Sequence, residues 1–166
     1  MDAHQLNETA RAMVAGDKGL LAMDESTPTA NRRFAAAGIP QNEETRRAYR
    51  DMIVTAPGLG DCLNGAILVD ETIRQTSRAG VPFAKALEKV GIIPGIKVDA
   101  GAEPMAAHPG EKITEGLDGL RDRFAEYAKM GARFAKWRAV ITIGDGIPSH
   151  GCLEANALIL AQYALL

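Results

Sequence analysis

Two lysines stand inside runs that are otherwise apolar. Lys97 occupies Gly95-Ile96-Lys97-Val98-Asp99, and Lys136 occupies Phe134-Ala135-Lys136-Trp137-Arg138. Lysine is rarely buried unless it is paired or functional. Side chains alternate across a strand, so Lys97 shares a face with Gly95 and Asp99. Lys136 shares one with Phe134 and Arg138, while Trp137 points the other way. Two ammonium groups and a guanidinium converging on one rim could bind phosphate oxygens. A desolvated lysine beside other cations can also act as acid, base or nucleophile. The plainer use of such residues is to block an exposed sheet edge. Asp24, which closes the apolar run Leu20-Leu21-Ala22-Met23, could reach the same rim. Ser26-Thr27-Pro28-Thr29 followed by Arg32-Arg33 is a hydroxyl-rich entry into a helix. Hydroxyls, backbone N–H groups at a helix start and nearby guanidiniums suit a phosphate. The same residues would also serve as an ordinary N-cap with a solvated basic face.

Other chemistries are not expected. Gly58-Leu59-Gly60 and Gly144-Asp145-Gly146 read as turns, and no P-loop or GxGxxG occurs. His4, His108 and His150 have no ligand spacing with one another or with cysteine, so neither a metal nor another cofactor is expected. Cys62 and Cys152 lie far apart and belong to no paired motif, which points to a reducing, cytoplasmic setting. With 19 Lys and Arg against 21 Asp and Glu the net charge is -2, and aromatics are 5%. Neither the basic excess nor the stacking platform of a nucleic-acid binder is present. No apolar run approaches the ~20 residues that span a bilayer, so no membrane partner is expected. The N-terminal segment is polar and amphipathic, unlike a signal peptide, so the sequon Asn7-Glu8-Thr9 is not expected to be glycosylated.

These residues need elements to hold them. The chain has 166 residues, 46% apolar and 24% charged, enough for one domain with a core. Helices are expected over 4–15, near 31–37, from 42 to about 54, over 82–90, over 116–130 and from about 149 to 166. The first carries Leu6, Ala10, Met13 and Val14 on one face, and the fifth a stripe of Leu117, Leu120, Phe124 and Tyr127. Strands are expected over 20–23, 65–69, 92–98 and 133–141. Strand, helix, strand at spacings of roughly 30–45 residues is the signature of a parallel α/β sheet. Such sheets concentrate function at the carboxyl ends of their strands, here Asp24, Asp70, Asp99 and the Lys136/Arg138 pair. Four strands are half of a (β/α)8 barrel of about 250 residues, and a small doubly wound sheet fits the length equally.

The motifs themselves resemble a known family. Lys18-Gly19-Leu20-Leu21-Ala22-Met23-Asp24-Glu25-Ser26-Thr27, Gly95-Ile96-Lys97-Val98-Asp99, Gly116-Leu117-Asp118-Gly119-Leu120 and Phe134-Ala135-Lys136-Trp137-Arg138 are similar to motifs of class I fructose-bisphosphate aldolases. The helix from Asn42 to Arg50 and the Glu154–Asn156 segment match too, so the resemblance covers nearly the whole chain in order. It implies a (β/α)8 TIM barrel of which the chain supplies about the first four βα units. Residues 1–166 then form a single partial barrel domain ending inside the fourth helix. The implied reaction is metal-independent Schiff-base cleavage of fructose 1,6-bisphosphate to dihydroxyacetone phosphate and glyceraldehyde 3-phosphate, in glycolysis and gluconeogenesis.

The resemblance also implies roles. Asp24 supports proton transfer at the carbinol and imine carbons. Lys136 assists carbinolamine chemistry. Lys97 contacts a substrate hydroxyl and phosphate, Arg138 binds substrate, and Ser26, Thr29 and Arg33 are phosphate contacts. Thr29 stands where serine is common and keeps the hydroxyl. The fifth-strand glutamate, the sixth-strand imine-forming lysine, the later phosphate loops and the tail tyrosine of the family are absent from these 166 residues. An isolated fragment is therefore expected to be inactive and to self-associate through open strand edges, in a family that is typically homo-oligomeric. The alternatives are a non-catalytic phosphate-binding or interaction module built from half the barrel, and another Schiff-base lyase of the transaldolase kind.

Overall fold

The computed structural model describes residues 3–166. In chain order the elements are α1 (Ala3–Met13), β1 (Gly19–Ala22), α2 (Thr27–Ala36), α3 (Glu43–Val54), α4 (Leu59–Cys62), β2 (Leu63–Leu68) and α5 (Asp70–Ile73). They continue with α6 (Phe83–Lys89), β3 (Ile93–Lys97), β4 (Gly101–Pro104), β5 (Lys112–Glu115), α7 (Leu120–Met130), β6 (Phe134–Lys136) and α8 (His150–Leu165). The chain divides into two compact units. One holds the residues up to Lys97 together with Tyr127–Ala135, the other Val98–Glu126 with Lys136–Leu166.

The first unit is built on parallel strands. The main sheet has the order β1-β2-β3-β6. Leu20 pairs with Gly65 and Ala22 with Ile67 between β1 and β2. Gly65 pairs with Ile93 and Leu68 with Ile96 between β2 and β3. Parallel neighbours need crossovers, and helices supply them. Ala66, Leu68, Ile92, Ile96, Phe83, Ala84 and Leu87 are all at most 1% exposed. Burying each large side chain in that set stabilises the fold by about 1.5–3 kcal/mol. α3 starts where Asn42 Oδ1 accepts from Thr45 N (2.9 Å), with Glu43 and Glu44 in its positive first turn.

α1 departs from expectation. Its apolar face is largely uncovered: Leu6 is 54% exposed, Val14 just beyond the helix end 75%, and no residue of the helix is buried, although Met13 is half-buried. Its end is tethered where Asn64 Nδ2 donates to the carbonyls of Met13 (3.3 Å) and Ala15 (2.6 Å).

The second unit contains an antiparallel hairpin that the sequence does not announce. β4 and β5 pair with Ala102 opposite Thr114. Gly110 and the two prolines at 104 and 109 make this stretch read as a loop. α8 is capped by Ser149, whose Oγ accepts from Cys152 N (3.1 Å). Glu111 fixes that cap by accepting from both Ser149 N and Ser149 Oγ at 2.6 Å. β6 ends at Lys136, five residues short of the expected 133–141 strand. Beyond it the main chain finds a different partner: the Arg138 carbonyl accepts from Thr114 Oγ1 (2.7 Å).

Candidate functional site

Asp24 lies just past the carboxyl end of β1 and is 8% exposed. The strand hydrogen bonding carries on to its neighbour, since Met23 N donates to the Ile67 carbonyl (3.2 Å). Ser26 is the N-cap of α2 and makes no side-chain bond to the helix amides. Its hydroxyl donates instead to Thr29 Oγ1 (3.2 Å), which also accepts from Arg32 Nη2 (3.4 Å). Pro28 sits in the first turn, where a missing N–H does no harm. Asp24, Ser26, Thr29 and Arg33 thus occupy one turn and the first two turns of one helix.

Two further residues hold this turn. Arg50 of α3 is 3% exposed, and its Nη1 donates to Glu25 Oε2 (2.6 Å) while its Nη2 donates to the Glu25 carbonyl (3.1 Å). The other carboxylate oxygen of Glu25 accepts from Arg33 Nη1 (2.5 Å). Burial opposes ionisation of Glu25, but the Arg50 hydrogen bond and the charges of Arg50 and Arg33 outweigh it and hold this carboxyl below the usual carboxylate range. One turn earlier on α3, Arg46 grips Glu71 with Nε (2.8 Å) and Nη2 (2.7 Å) and donates from Nη1 to Asn31 Oδ1 (3.0 Å). Neither Arg46 nor Arg50 was singled out from sequence. The available signal is their spacing: 46, 50 and 54 fall on one helical stripe, and Val54 is buried. An arginine in line with a core valine calls for a buried counter-ion.

Lys97 is the last residue of β3, in the same unit, and is half-buried. In the other unit Lys136 closes β6, half-buried, and its carbonyl accepts from Val98 N (3.1 Å). Arg138 follows β6 in irregular chain and is exposed. Each candidate therefore sits at or just beyond the carboxyl end of a strand, or at the start of α2. None lines either of two hollows on the surface. One of about 670 Å³ in the first unit runs past Lys18, Gly60, Lys89 and Val90 at the amino ends of β1–β3. Another of about 500 Å³ in the second unit is bounded by Thr114, Glu115, Gly116 and Arg123.

Among the described residues, no three His, Cys, Asp or Glu side chains gather as a metal-binding group. No helix there is long and apolar enough to cross a membrane.

The sequence matches a family model described as fructose-bisphosphate aldolase class-I over residues 5–166. A "probable fructose-bisphosphate aldolase class 1" of Xanthomonas campestris is 61% identical over 166 residues, which is all of this chain and 50% of that protein. The "fructose-bisphosphate aldolase 5, cytosolic" of Arabidopsis thaliana is 46% identical over 164 residues, covering 99% of this chain and 46% of that one. The chain spans about half the length of the curated relatives it matches. Among solved structures, the fructose-bisphosphate aldolase of Plasmodium falciparum, in complex with TRAP and a small-molecule inhibitor, superimposes with a TM-score of 0.94 at 44% identity. It covers 98% of this chain and 47% of that one. The fold is accordingly a partial (β/α) barrel, which decides between the two architectures that the spacing left open.

Proposed function

The chain belongs to the class I fructose-bisphosphate aldolase family, and on that ground we propose that it carries part of the active site of a Schiff-base aldolase acting on fructose 1,6-bisphosphate. The observation that carries this reading is the 61% identity to an aldolase along the whole of the chain. In the reaction a lysine amine condenses with the C2 ketone and water leaves. Loss of the C4 hydroxyl proton breaks the C3–C4 bond and releases glyceraldehyde 3-phosphate. The remaining enamine is protonated at C3, and hydrolysis frees dihydroxyacetone phosphate and the amine.

The family resemblance gives residues of this chain roles in that chemistry. Asp24, buried beside the β1 terminus, supports proton transfer at the carbinol and imine centres. Lys136 assists formation and collapse of the carbinolamine. Lys97 meets a substrate hydroxyl and phosphate, and Arg138 binds the substrate. Ser26, Thr29 and Arg33 receive a phosphate at the start of α2, where hydroxyls and a guanidinium can donate to its oxygens. The imine-forming lysine and the glutamate acid/base are contributed by segments outside these 166 residues. Imine formation needs the amine within near-attack distance of the ketone, so the 166 residues alone are inactive. Exposed Leu153, Leu158, Leu165 and Ile143 support self-association of this chain. The cytosolic Arabidopsis relative supports a cytoplasmic location.

The test is borohydride trapping with fructose 1,6-bisphosphate. The 166-residue chain should incorporate no substrate carbon. The same chain joined to the remaining half of the Xanthomonas relative should be trapped and should release triose phosphates. Trapping on the isolated chain would overturn the helper roles of Lys97 and Lys136. A joined protein that folds and binds phosphate without cleaving the sugar would favour a non-catalytic phosphate-binding module.

A further inference from the structure

Glu25 lies between two arginines of opposite burial. Its side chain is 17% exposed, that of Arg50 3% and that of Arg33 63%. Arg50 takes one carboxylate oxygen and the main-chain carbonyl of Glu25, and Arg33 takes the other oxygen. Two guanidiniums against one carboxylate leave one positive charge over. A buried arginine cannot shed its counter-ion without a heavy desolvation cost, whereas an exposed one can exchange partners at little cost. Arg50 is further fixed by the Tyr49 ring, 5.2 Å from its guanidinium, and Tyr49 meets Phe34 of α2 edge-on at 5.6 Å. The surplus charge therefore resides on Arg33, beside the hydroxyls of Ser26 and Thr29.

We propose that Arg50 is a positioning residue for phosphate binding: by neutralising Glu25 from the buried side, it lets Glu25 orient Arg33 without cancelling the charge that Arg33 offers to a substrate phosphate. Without Arg50, Glu25 has Arg33 as its sole guanidinium partner, and the carboxylate competes with phosphate for that cation. Removing both charges of the buried pair restores the balance, because Glu25 then no longer competes with phosphate for Arg33. This inference rests on the reading of Arg33 as a phosphate contact.

The experiment is calorimetric titration of inorganic phosphate into the 166-residue chain and four variants at constant ionic strength. Arg33→Ala should weaken binding about tenfold or more, the scale of a lost charge-assisted contact. Arg50→Met should weaken it by about as much, although Arg33 remains in place. The double variant Glu25→Gln/Arg50→Met should return to within about threefold of wild type, and Glu25→Gln alone should bind no worse than that. A purely structural role for Arg50 predicts that the double variant binds at least as weakly as Arg50→Met, and that result overturns the proposal. So does an Arg50→Met variant that binds like wild type while Arg33→Ala does not, which leaves the reading of Arg33 standing. No phosphate binding by wild type, or no effect of Arg33→Ala, overturns that reading and the inference with it. Should Arg50→Met fail to fold by circular dichroism, the double variant decides: wild-type affinity supports the charge balance and its loss refutes it.

Discussion

The ring of Phe134 lies over Gly95, so close that a Cβ at Gly95 would overlap it. The same ring comes within 3.3 Å of where a Cβ of Gly65 would stand, and Leu20 Cδ2 within 2.9 Å of that point. One aromatic side chain thus fills the space that two glycines of neighbouring strands leave empty. Gly95→Ala should cost about 1–3 kcal/mol, because close-packed interiors do not absorb an extra methyl without moving the ring. The measurement is a urea titration. The double variant Gly95→Ala/Phe134→Leu should recover part of the loss, and an unchanged midpoint in Gly95→Ala would refute the packing account.

That relationship also bears on what could be read beforehand. Gly95 and Phe134 were legible as strand residues, and the period-two rule put Lys97 and Lys136 on the faces that these two residues occupy. The parallel strands with their crossover helices were legible because each is a short apolar run closed by a charge. The hairpin β4/β5 was not, since its strands are four residues each, Pro109 and Gly110 lie in the connection between them, and the two strands pair with one another. Nor was the packing of α1: its sequence is amphipathic, but the described residues leave that face open. The Arg50–Glu25 pair was hidden for another reason. Its partners lie 25 positions apart, and no local pattern says which carboxylate a buried arginine will meet.

Ser149 links α8 to the chain before β5. Its hydroxyl donates to Glu111 and accepts from Cys152 N, so it serves as cap and tether at once. Ser149→Ala should lose about 0.5–2 kcal/mol, the range for a helix N-cap. Ser149→Asp keeps a cap acceptor but sets a carboxylate against Glu111, so it should fail to rescue. Thermal unfolding followed by the fluorescence of Trp137, whose ring lies 5.4 Å from that of Tyr163 of α8 at a tilt of 35°, reads this unit directly. Equal midpoints for wild type and Ser149→Ala would contradict the tether.

Acid should unfold the chain through two carboxylates in particular. Bonds from Ser149 hold Glu111 below the usual range against the opposing effect of burial, and Glu25 is lowered by its arginines against the same opposition. A lowered folded-state pKa means that the unfolded chain takes up protons first as pH falls. The contribution of each group is complete well above 4.5, their ordinary value, and disappears as pH drops through the lower folded value. Stability should therefore be level from pH 7 to about 5.5 and decline below about 4.5. Glu111→Gln should be less stable at neutral pH and show a shallower decline. A variant with the same acid slope as wild type would remove Glu111 from this account.

Arg46 tests whether the scaffold beneath the candidate phosphate turn depends on shape or on charge alone. Its guanidinium spans Glu71 with two parallel bonds and reaches Asn31 on α2 with a third. Both partners are largely shielded, at 12% and 26% exposure, so salt screens the pair poorly. Lysine retains the charge but cannot make the fork. Arg46→Lys should thus cost about 1–3 kcal/mol, with most of the loss persisting in high salt. A pair that acted only as two point charges would tolerate lysine and weaken as salt rises. Urea midpoints for wild type and Arg46→Lys at low and high sodium chloride separate the two. The same titration on Asn31→Ala isolates the third bond, whose loss should be smaller, at about 1 kcal/mol, because the Glu71 fork remains intact.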